Sequence, residues 1–199
     1  NPSIEMGGIF GESKIEILNA IPKNYKPQTV FIQYKNGFDE ALLDSVVFPV
    51  ILKPDIGERG HGVLLCNSKQ EVIDALNATQ SNHIIQEYIK YDLELGILYY
   101  KMPLTGKTGI TSITKKSFLK VLGDGQNNVE QLLNQNIRAI KQLPRLKIEK
   151  PELLQLVPQK DEVTLVEPRG NHCLGTEFIN ANEMCSNQLI SIFDTITRD

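Results

Sequence analysis

Residues 46–66 read VVFPVILKPDIGERGHGVLLC, an apolar run that ends in lysine and proline, then a glycine-rich segment and a second apolar run. The first run predicts a β-strand buried on both faces, with the ammonium group of Lys53 at its end. Gly57, Gly60 and Gly62 predict a loop between two strands whose backbone can approach a ligand closely. A lysine at a strand end beside such a loop makes this hairpin a candidate phosphate-binding element.

The loop matches neither of the two commonest phosphate-binding motifs. Val63 stands where a P-loop requires lysine, and an extended run follows where a dinucleotide-binding motif requires a helix. We therefore expect a flexible lid in which backbone N–H groups, Arg59 and His61 cover a polyphosphate while Lys53 approaches from the adjacent strand. The alternative is a surface hairpin whose lysine extends its ammonium group into solvent.

The segments after the hairpin follow in a characteristic order. Ser68-Lys69-Gln70-Glu71 is a capping box that predicts a helix, and residues 83–89 predict a strand that contains Gln-Glu-Tyr-Ile. Glu94 comes seven residues after Glu87 and begins a further strand. This order of segments resembles that of the ATP-grasp superfamily. It consists of a strand with lysine, a glycine loop, a strand, a helix, Gln-Glu-Tyr-Ile and a second glutamate.

This resemblance covers roughly residues 10–199. It implies an α+β fold of two subdomains, each with an antiparallel sheet and helices, with ATP bound in the cleft between them. By this resemblance, residues 1–24 are a linker and a short helix after a further domain, residues 25–89 are the smaller lid subdomain, and residues 90–199 are the larger subdomain.

The resemblance also implies a role for each matching position. Lys53 would contact the α- and β-phosphates of ATP, and the loop of residues 57–62 would close over the β- and γ-phosphates. Glu87-Tyr88-Ile89 would form a hinge that recognises adenine through hydrogen bonds with backbone groups and one carboxylate. Glu94 would accept hydrogen bonds from the ribose hydroxyls.

Residues 115–125 read KKSFLKVLGDG and precede an amphipathic helical pattern. This combination is similar to the cyanophycin synthetase branch of the ATP-grasp ligases, and the domain also resembles that of D-alanine:D-alanine ligases. Both resemblances imply a carboxylate–amine ligase. Lys116 either faces the phosphates or is one solvated lysine among several. The turn of residues 123–125 is expected to be structural, because its residues favour a tight turn in any fold.

The N-terminal part supplies a second candidate lysine. Ser13 and Glu16 form a capping box for a short helix that Pro22 closes, and Lys14 lies in its first turn. Lys14 resembles the first phosphate lysine of ATP-grasp ligases in position, and the alternative is an exposed lysine. Residues 29–33 then predict a strand, and residues 39–45 predict a short helix.

Two donors follow a strand near the C-terminal end. Residues 93–102 and 110–122 predict two long paired strands, and the proline-rich residues 142–160 predict a winding connector with short helical pieces. Residues 162–167 predict a strand that is followed by Arg169 and Asn171, which can present donors to a γ-phosphate or acyl-phosphate oxygen. His172 is more typical of a hydrogen-bonded structural histidine.

The last predicted helix spans roughly residues 183–196, with Asn182 as its cap. In ATP-grasp ligases the carboxylates that bind magnesium follow this helix, as an Asp and then a Glu-x-Asn segment. The resemblance therefore implies that the Mg²⁺ ligands lie beyond residue 199. It also implies that this chain is part of a larger ligase and is inactive by itself.

Composition excludes several classes of protein. The 199 residues are 41% hydrophobic and 23% charged, as in an ordinary globular protein, and no apolar run approaches the length of a membrane span. A formal charge of −3 argues against nucleic acid as the main partner. Cys66, Cys173 and Cys185 show no zinc or disulfide pattern, which fits a reducing cytoplasm.

The resemblance implies an ATP-dependent ligase that joins a small-molecule carboxylate to an amine through an acyl phosphate, with ATP and Mg²⁺ as cofactors. One alternative is a phosphotransferase of the same architecture that acts on a polyol or carbohydrate. Another is a nucleotide-binding module without catalysis. The sequence does not indicate the oligomeric state.

Overall fold

A computed structural model describes residues 11–58 and 60–197. Antiparallel sheets combined with helices confirm the predicted α+β class. The helices are α1 Lys14–Asn19, α2 Lys69–Thr79, α3 Val129–Leu133, α4 Ile137–Ile140, α5 Leu143–Glu149, α6 Pro151–Gln155 and α7 Asn187–Ile196. The strands are β1 Thr29–Ile32, β2 Val50–Pro54, β3 Leu64–Cys66, β4 His83–Glu87, β5 Leu95–Lys101, β6 Thr108–Ser117, β7 Leu119–Leu122, β8 Val163–Glu167 and β9 Glu177–Asn180.

The chain divides into two compact units. The first runs to Tyr91 and includes the chain from Ile196, and the second is Asp92–Thr195. None of the described helices is long and apolar enough to cross a membrane. The first ten residues of the predicted N-terminal linker lie outside the described residues.

The first unit is built on one antiparallel sheet with the strand order β1-β4-β2-β3. Helix α2 packs on one face of this sheet, and it begins where predicted, since the Ser68 side chain accepts a hydrogen bond from the Glu71 N–H. Apolar side chains from the sheet, from α2 and from a 3-10 helix at Glu40–Leu43 form the core. They are Ile32, Leu43, Val50, Leu52, Cys66, Val72, Leu76 and Ile85.

Strand β2 differs from its prediction in length and in burial. It begins at Val50, after a cis peptide bond between Phe48 and Pro49. Val50 and Leu52 point into the core under α2, whereas Ile51 and Lys53 are only half-buried. The prediction of a strand buried on both faces is therefore wrong. The strand alternates in the usual way, and this leaves the Lys53 face accessible.

The second unit contains a three-stranded antiparallel sheet with the order β5-β6-β9. Strands β5 and β6 pair as predicted. Helix α7 packs on β5, because the Tyr99 and Phe193 rings stack at 5.6 Å between centroids and the Tyr99 hydroxyl donates to Asp194 Oδ1 at 2.8 Å. This helix begins at Asn187 rather than near residue 183, and strand β9 was not predicted.

A separate two-stranded ladder, β7 with β8, lies in the same unit under a layer of short helices. The predicted long strand of residues 110–122 divides at Phe118, so that its two parts join different sheets. The predicted helix after Asn127 is also divided, into α3 and α4, because the Asn136 side chain caps α4. The buried residues of this layer are Leu119, Val121, Val129, Leu133, Ala139, Leu143, Leu146, Leu154 and Val166.

The turn of residues 123–125 has the structural role that was expected. A Cβ atom at Gly123 would collide with the carbonyl oxygen of Gln159, so this close approach requires glycine. The exposed Asp124 carboxylate accepts hydrogen bonds from Asn127 and from the Gln126 N–H, and these bonds lower the pKa of Asp124 to about 2. The turn therefore fixes the connection between β7 and α3.

Candidate functional site

Lys53 projects from β2 on the face of the sheet opposite α2. Its ammonium group donates to Gln86 Oε1 at 2.7 Å, and Gln86 Nε2 donates to the Thr29 hydroxyl at 3.0 Å. The Thr29 hydroxyl in turn donates to the Pro27 carbonyl oxygen at 2.9 Å. Because antiparallel pairing places these residues on one face of β1, β4 and β2, the chain of hydrogen bonds holds Lys53 in a defined orientation.

A second ammonium group, that of Lys14, acts on Lys53. Burial lowers the pKa of Lys53, and the positive charge of Lys14 lowers it further. Burial also lowers the pKa of Lys14, and the carboxylate of Asp55 partly opposes that effect. Two partly desolvated like charges are stabilised by a shared anion, so this pair favours a polyanionic ligand.

Lys14 is attached to the base of the glycine loop. Its ammonium group donates to the carbonyl oxygens of Asp55, at 3.1 Å, and Gly57, at 2.8 Å. The buried Asp55 carboxylate accepts hydrogen bonds from the Ser13 hydroxyl and the Ile15 N–H, both at 2.9 Å. Asp55 is distant from α1 in sequence, but it caps this helix and so places Lys14 beside the loop.

The glycine loop itself is a tight turn. The His61 N–H donates to the Glu58 carbonyl at 3.1 Å, and both Gly60 and Gly62 have positive φ angles, of 76° and 69°. A Cβ atom at Gly62 would lie 2.8 Å from Pro54 Cγ, so glycine is required there for space as well. His61 is exposed, and Arg59 lies outside the described residues.

The predicted adenine hinge follows β4. The Glu87 N–H donates to the Gln28 carbonyl oxygen at 2.9 Å, and the Glu87 carboxylate accepts from the Gln28 N–H at 3.3 Å. Glu87 pairs with Val50 in the sheet, so its side chain lies on the face opposite to Lys53. Glu87 and Tyr88 line a separate cavity of about 370 Å³ on that side. The hinge role of Glu87, Tyr88 and Ile89 stays a prediction, and it rests on their backbone groups.

In the second unit, two of the predicted residues form an ion pair. The Lys116 ammonium group contacts Glu94 Oε1, and the Lys116 N–H donates to the Glu94 carbonyl oxygen at 2.9 Å. Gly170 packs against this pair, since a Cβ atom there would lie 2.8 Å from Glu94 Oε2 and 3.0 Å from Lys116 Cδ. Gly170 separates Arg169 from Asn171 in sequence. The structure therefore brings the segment of residues 169–171 to the Glu94–Lys116 pair.

Arg169 is held by a buried carboxylate. Glu167 Oε1 accepts from Arg169 Nε at 2.7 Å, and Glu167 Oε2 accepts from Arg169 Nη2 at 2.7 Å and from Arg145 Nη1 at 2.9 Å. Burial alone would raise the pKa of Glu167, but the hydrogen bonds from Arg169 and the charges of Lys150 and Arg169 outweigh it and lower the pKa to about 2. Glu167 is therefore ionised and fixes one edge of the Arg169 guanidinium group.

Asn171 has a local structural contact. Its Oδ1 accepts a hydrogen bond from the Cys173 N–H at 2.8 Å and so begins a 3-10 helix at His172–Leu174. The His172 ring lies against Phe178, with 5.5 Å between the ring centroids. This packing agrees with the expectation that His172 is held structurally.

Residues 14–97 match the family model of the RimK-like ATP-grasp domain. The match begins at Lys14, includes Lys53, the glycine loop and the hinge, and extends past Glu94 to the β5 strand. This segment belongs to the ATP-grasp family. The recognition made from the order of the motifs is confirmed, and the match includes Lys14, Lys53, the glycine loop, Glu87 and Glu94, whereas Lys116, Arg169 and Asn171 lie outside it.

Similar proteins include formate-dependent phosphoribosylglycinamide formyltransferases. The enzyme of Saccharolobus solfataricus is 28% identical over 145 residues, which are 65% of this chain and 36% of the relative. That of Prochlorococcus marinus strain AS9601 is 30% identical over 92 residues, 42% of this chain and 24% of the relative. This chain thus spans about a third or less of the length of these relatives.

Two solved structures to which this chain is similar are a synthetase and a ligase. An N5-carboxyaminoimidazole ribonucleotide synthetase in complex with ADP has a TM-score of 0.44 and 17% identity, with 81% of this chain and 45% of that chain covered. The D-alanine–D-alanine ligase of Helicobacter pylori has a TM-score of 0.36 and 16% identity, with coverages of 83% and 58%. Because these scores are low, the ATP-grasp assignment rests on the sequence match.

Several residues around the candidate site were missed or were given no role by sequence reasoning. Gln86 was part of the recognised Gln-Glu-Tyr-Ile stretch, and its position two residues after Ile84, the partner of Lys53, could have indicated a shared face. Asp55 and Arg145 had no such signal, because their partners lie 40 and 22 residues away and no local pattern links them. Glu167 lies two residues before Arg169, but sequence reasoning gave it no role.

Magnesium ligands are not found in the described part of the chain. Among residues 11–58 and 60–197, no group of three or more His, Cys, Asp or Glu side chains could hold a metal ion. Glu94 and Glu167 contact cationic side chains instead. These residues do not fit a magnesium site, and the roles proposed below use side chains of this chain alone.

Proposed function

We propose that this chain forms the ATP site of a carboxylate–amine ligase that acts through an acyl phosphate. The observation that carries the proposal is the pair of partly desolvated ammonium groups, Lys14 and Lys53, beside a glycine loop in an ATP-grasp segment. Such a pair can neutralise a polyphosphate, and the backbone N–H groups of the loop can add hydrogen bonds to its oxygens.

The proposed roles are assigned within each unit separately. In the first, Lys53 and Lys14 contact the phosphates, the loop of residues 57–62 covers them, and the backbone of residues 87–89 reads adenine. In the second, Glu94 accepts hydrogen bonds from ribose, and Lys116 and Arg169 face the transferred phosphoryl group. The Glu94–Lys116 ion pair keeps both side chains ordered until the ligand replaces that contact.

The proposed chemistry needs no protein nucleophile. A substrate carboxylate oxygen attacks the γ-phosphorus, the bond to the β-phosphate oxygen breaks, and ADP leaves. An amine then attacks the acyl carbon, inorganic phosphate leaves, and the amine nitrogen loses a proton. Lysine and arginine side chains balance the negative charge that develops on the phosphoryl oxygens, so catalysis depends on position and electrostatics.

The first test measures ATP binding to the chain by calorimetry. Lys53→Gln removes the charge and should weaken binding by roughly 10- to 100-fold, since charge-assisted hydrogen bonds contribute about 1.5–3 kcal/mol. Lys69→Gln is the matched control, because Lys69 is paired with Asp44 at the start of α2 and has no proposed ligand contact. Unchanged ATP affinity in Lys53→Gln would refute the assignment of the phosphate lysine.

The second test measures turnover in the longest natural protein that contains this sequence. ADP and phosphate released only when a carboxylate and an amine are both present would support a ligase. Phosphorylated product from a polyol would identify a phosphotransferase instead, and ATP binding without any turnover would identify a binding module.

A further inference from the structure

The second unit contains a large open cavity that the proposed nucleotide contacts do not use. It has a volume of about 760 Å³ and lies between the α4–α5 segment and the 3-10 helix after β8. Small-molecule sites in proteins have volumes of roughly 300–1,000 Å³. The cavity is therefore large enough for a metabolite.

The lining of this cavity is cationic. Arg138, Lys141 and His172 face it, and none of its lining residues is acidic. Within the described parts of the chain, no ion pair involves Arg138, Lys141 or His172. An acidic residue, Glu177, lines a smaller adjoining cavity that shares Arg138. Since the whole chain carries a formal charge of −3, this is a local concentration of positive charge.

The walls of the cavity are fixed by contacts that leave the cations available. Gln142 Nε2 donates to the Cys173 carbonyl oxygen at 3.1 Å and so joins the two walls. Beneath them, Ala139 and Leu143 are buried in the core. Among the described residues, the Arg138 guanidinium group has one long hydrogen bond, from Nη1 to the Thr176 carbonyl oxygen at 3.4 Å. The site is thus preformed, and its charges are without an ionic partner in the described structure.

The cavity adjoins the residues assigned to phosphoryl transfer. Asn171, at the end of the segment that begins with Arg169, is followed directly by His172 and Cys173 in the cavity wall. On the other wall, Gln142 Oε1 accepts from Arg145 Nη2 at 3.4 Å, and Arg145 binds the Glu167 carboxylate that holds Arg169. A molecule in this cavity would therefore lie next to the Arg169 network.

We propose that this cavity binds the acidic substrate of the ligase, a small molecule with a carboxylate besides the one that is activated. Arg138 and Lys141 bind the carboxylate that does not react, and the His172 ring forms one side of the site. This assignment rests on the proposed function, because it names the substrate class of the same reaction. Guanidinium and ammonium groups bind carboxylates through charge-assisted hydrogen bonds, which explains the absence of acidic lining residues.

The test uses the exposed thiol of Cys173 as a reporter. Glutarate, a dicarboxylate, is added to the chain without nucleotide at constant ionic strength, and alkylation by neutral iodoacetamide is followed by peptide mass spectrometry. Glutarate should slow the alkylation of Cys173 at least about threefold and leave that of Cys185 unchanged, since Cys185 is exposed and is absent from the cavity lining. Glutaramide, which lacks both charges, should protect neither thiol.

Variants connect this protection with the two cations. The double substitution Arg138→Gln and Lys141→Gln should raise the glutarate concentration needed for half protection by about tenfold or more, whereas Lys107→Gln, in the β5–β6 turn, should not change it. Lack of protection at about 20 mM glutarate, or equal protection by inorganic phosphate, would overturn the proposal. The protection assay contains no nucleotide. If the chain failed to bind ATP but glutarate still protected Cys173, the proposed function would be refuted and the assignment of this cavity would stand.

Discussion

Lys53 is oriented by a neutral partner, and this has a chemical consequence. The Gln86 amide accepts from the Lys53 ammonium group, and Thr29 fixes the amide so that its oxygen faces the lysine. A carboxylate at this position would neutralise the ammonium charge, whereas an amide orients it and leaves the charge available for a ligand. Gln86 therefore acts as a positioning residue for the proposed phosphate contact.

The substitution Gln86→Glu tests this role. A glutamate would form an ion pair with Lys53 and compete with phosphate, so ATP affinity measured by calorimetry should fall about tenfold or more. The thermal unfolding midpoint should stay equal or rise, because the new pair compensates the partly buried charge of Lys53. ATP affinity as tight as that of the wild type would show that Lys53 does not contact phosphate. Gln86→Met is the companion variant, since it removes the hydrogen bond without adding a charge.

At the level of elements, α1 and the glycine loop are joined through Asp55. The short helix α1 has no buried residue, so burial of its own side chains contributes little to its position. The Asp55 carboxylate accepts hydrogen bonds from the Ser13 hydroxyl and the Ile15 N–H. The Lys14 ammonium group donates hydrogen bonds to the carbonyl oxygens of Asp55 and Gly57. These polar contacts, rather than apolar packing, determine where the Lys14 ammonium group lies.

Asp55→Ala should release α1 from the loop. Loss of a buried carboxylate that satisfies a helix N-terminus costs about 1–3 kcal/mol of stability, and amide hydrogen exchange in residues 14–19 should become faster. Asp44→Ala provides the matched control, because Asp44 forms only an exposed pair with Lys69 and should change stability by less than about 1 kcal/mol. Equal exchange of α1 in both variants would contradict this role of Asp55.

Gly170 joins the Arg169 segment to the Glu94–Lys116 pair. In Gly170→Ala the new methyl group would lie 2.8 Å from Glu94 Oε2 and 3.0 Å from Phe118 Cε1, so neighbouring side chains must move. We expect a loss of about 1–3 kcal/mol in denaturant unfolding, as is typical of overpacking. Adding Phe118→Leu should recover part of this loss by making space. No loss in the single variant would show that the Glu94 side chain moves aside freely.

The elements that were predicted well have local signals. Ser13 and Ser68 begin α1 and α2 through capping hydrogen bonds three residues away, which the sequence displays directly. Strand β9 was missed because its residues, Glu177–Asn180, are all exposed and do not alternate between polar and apolar. The break at Phe118 was missed because alternation continues through it, while the two strand parts find different partners.

The candidate site was predictable to a different extent in each unit. Lys14, Lys53 and the glycines stand out by type and spacing, so their association with one loop followed from known motif order. The contacts of Arg169 could not be predicted in this way, because the carboxylate that holds it comes from the preceding strand and a second arginine comes from α5. Contacts that depend on tertiary packing leave no spacing rule in the sequence.

For the molecule as a whole, Glu167 predicts a loss of stability in acid. Its pKa is about 2 in the folded chain against an ordinary value of 4.5, so the unfolded chain binds more protons between these values. The stabilisation, roughly 3 kcal/mol, is complete above about pH 4.5 and is lost as the pH falls toward about 2. Unfolding free energies measured from pH 6 downward should show this decline.

Glu167→Gln should flatten that pH dependence. The variant should also be less stable at neutral pH, by about 3–5 kcal/mol, because Arg145 and Arg169 lose their buried partner. Glu130→Gln, which removes a more exposed partner of Lys147, should keep the wild-type slope. An unchanged slope in Glu167→Gln would assign the acid sensitivity to other carboxylates.

The two carbonyl oxygens that hold Lys14 connect the proposed ligand contact with the base of the glycine loop. An ammonium group has three N–H donors, and the Asp55 and Gly57 carbonyl oxygens accept two of them, so a bound anion can accept the third. A polyphosphate at the proposed site would then be joined to the base of the glycine loop through one ammonium group. A ligand too short to reach Lys14 would lack this link, so on this proposal long and short anions would order the loop to different extents.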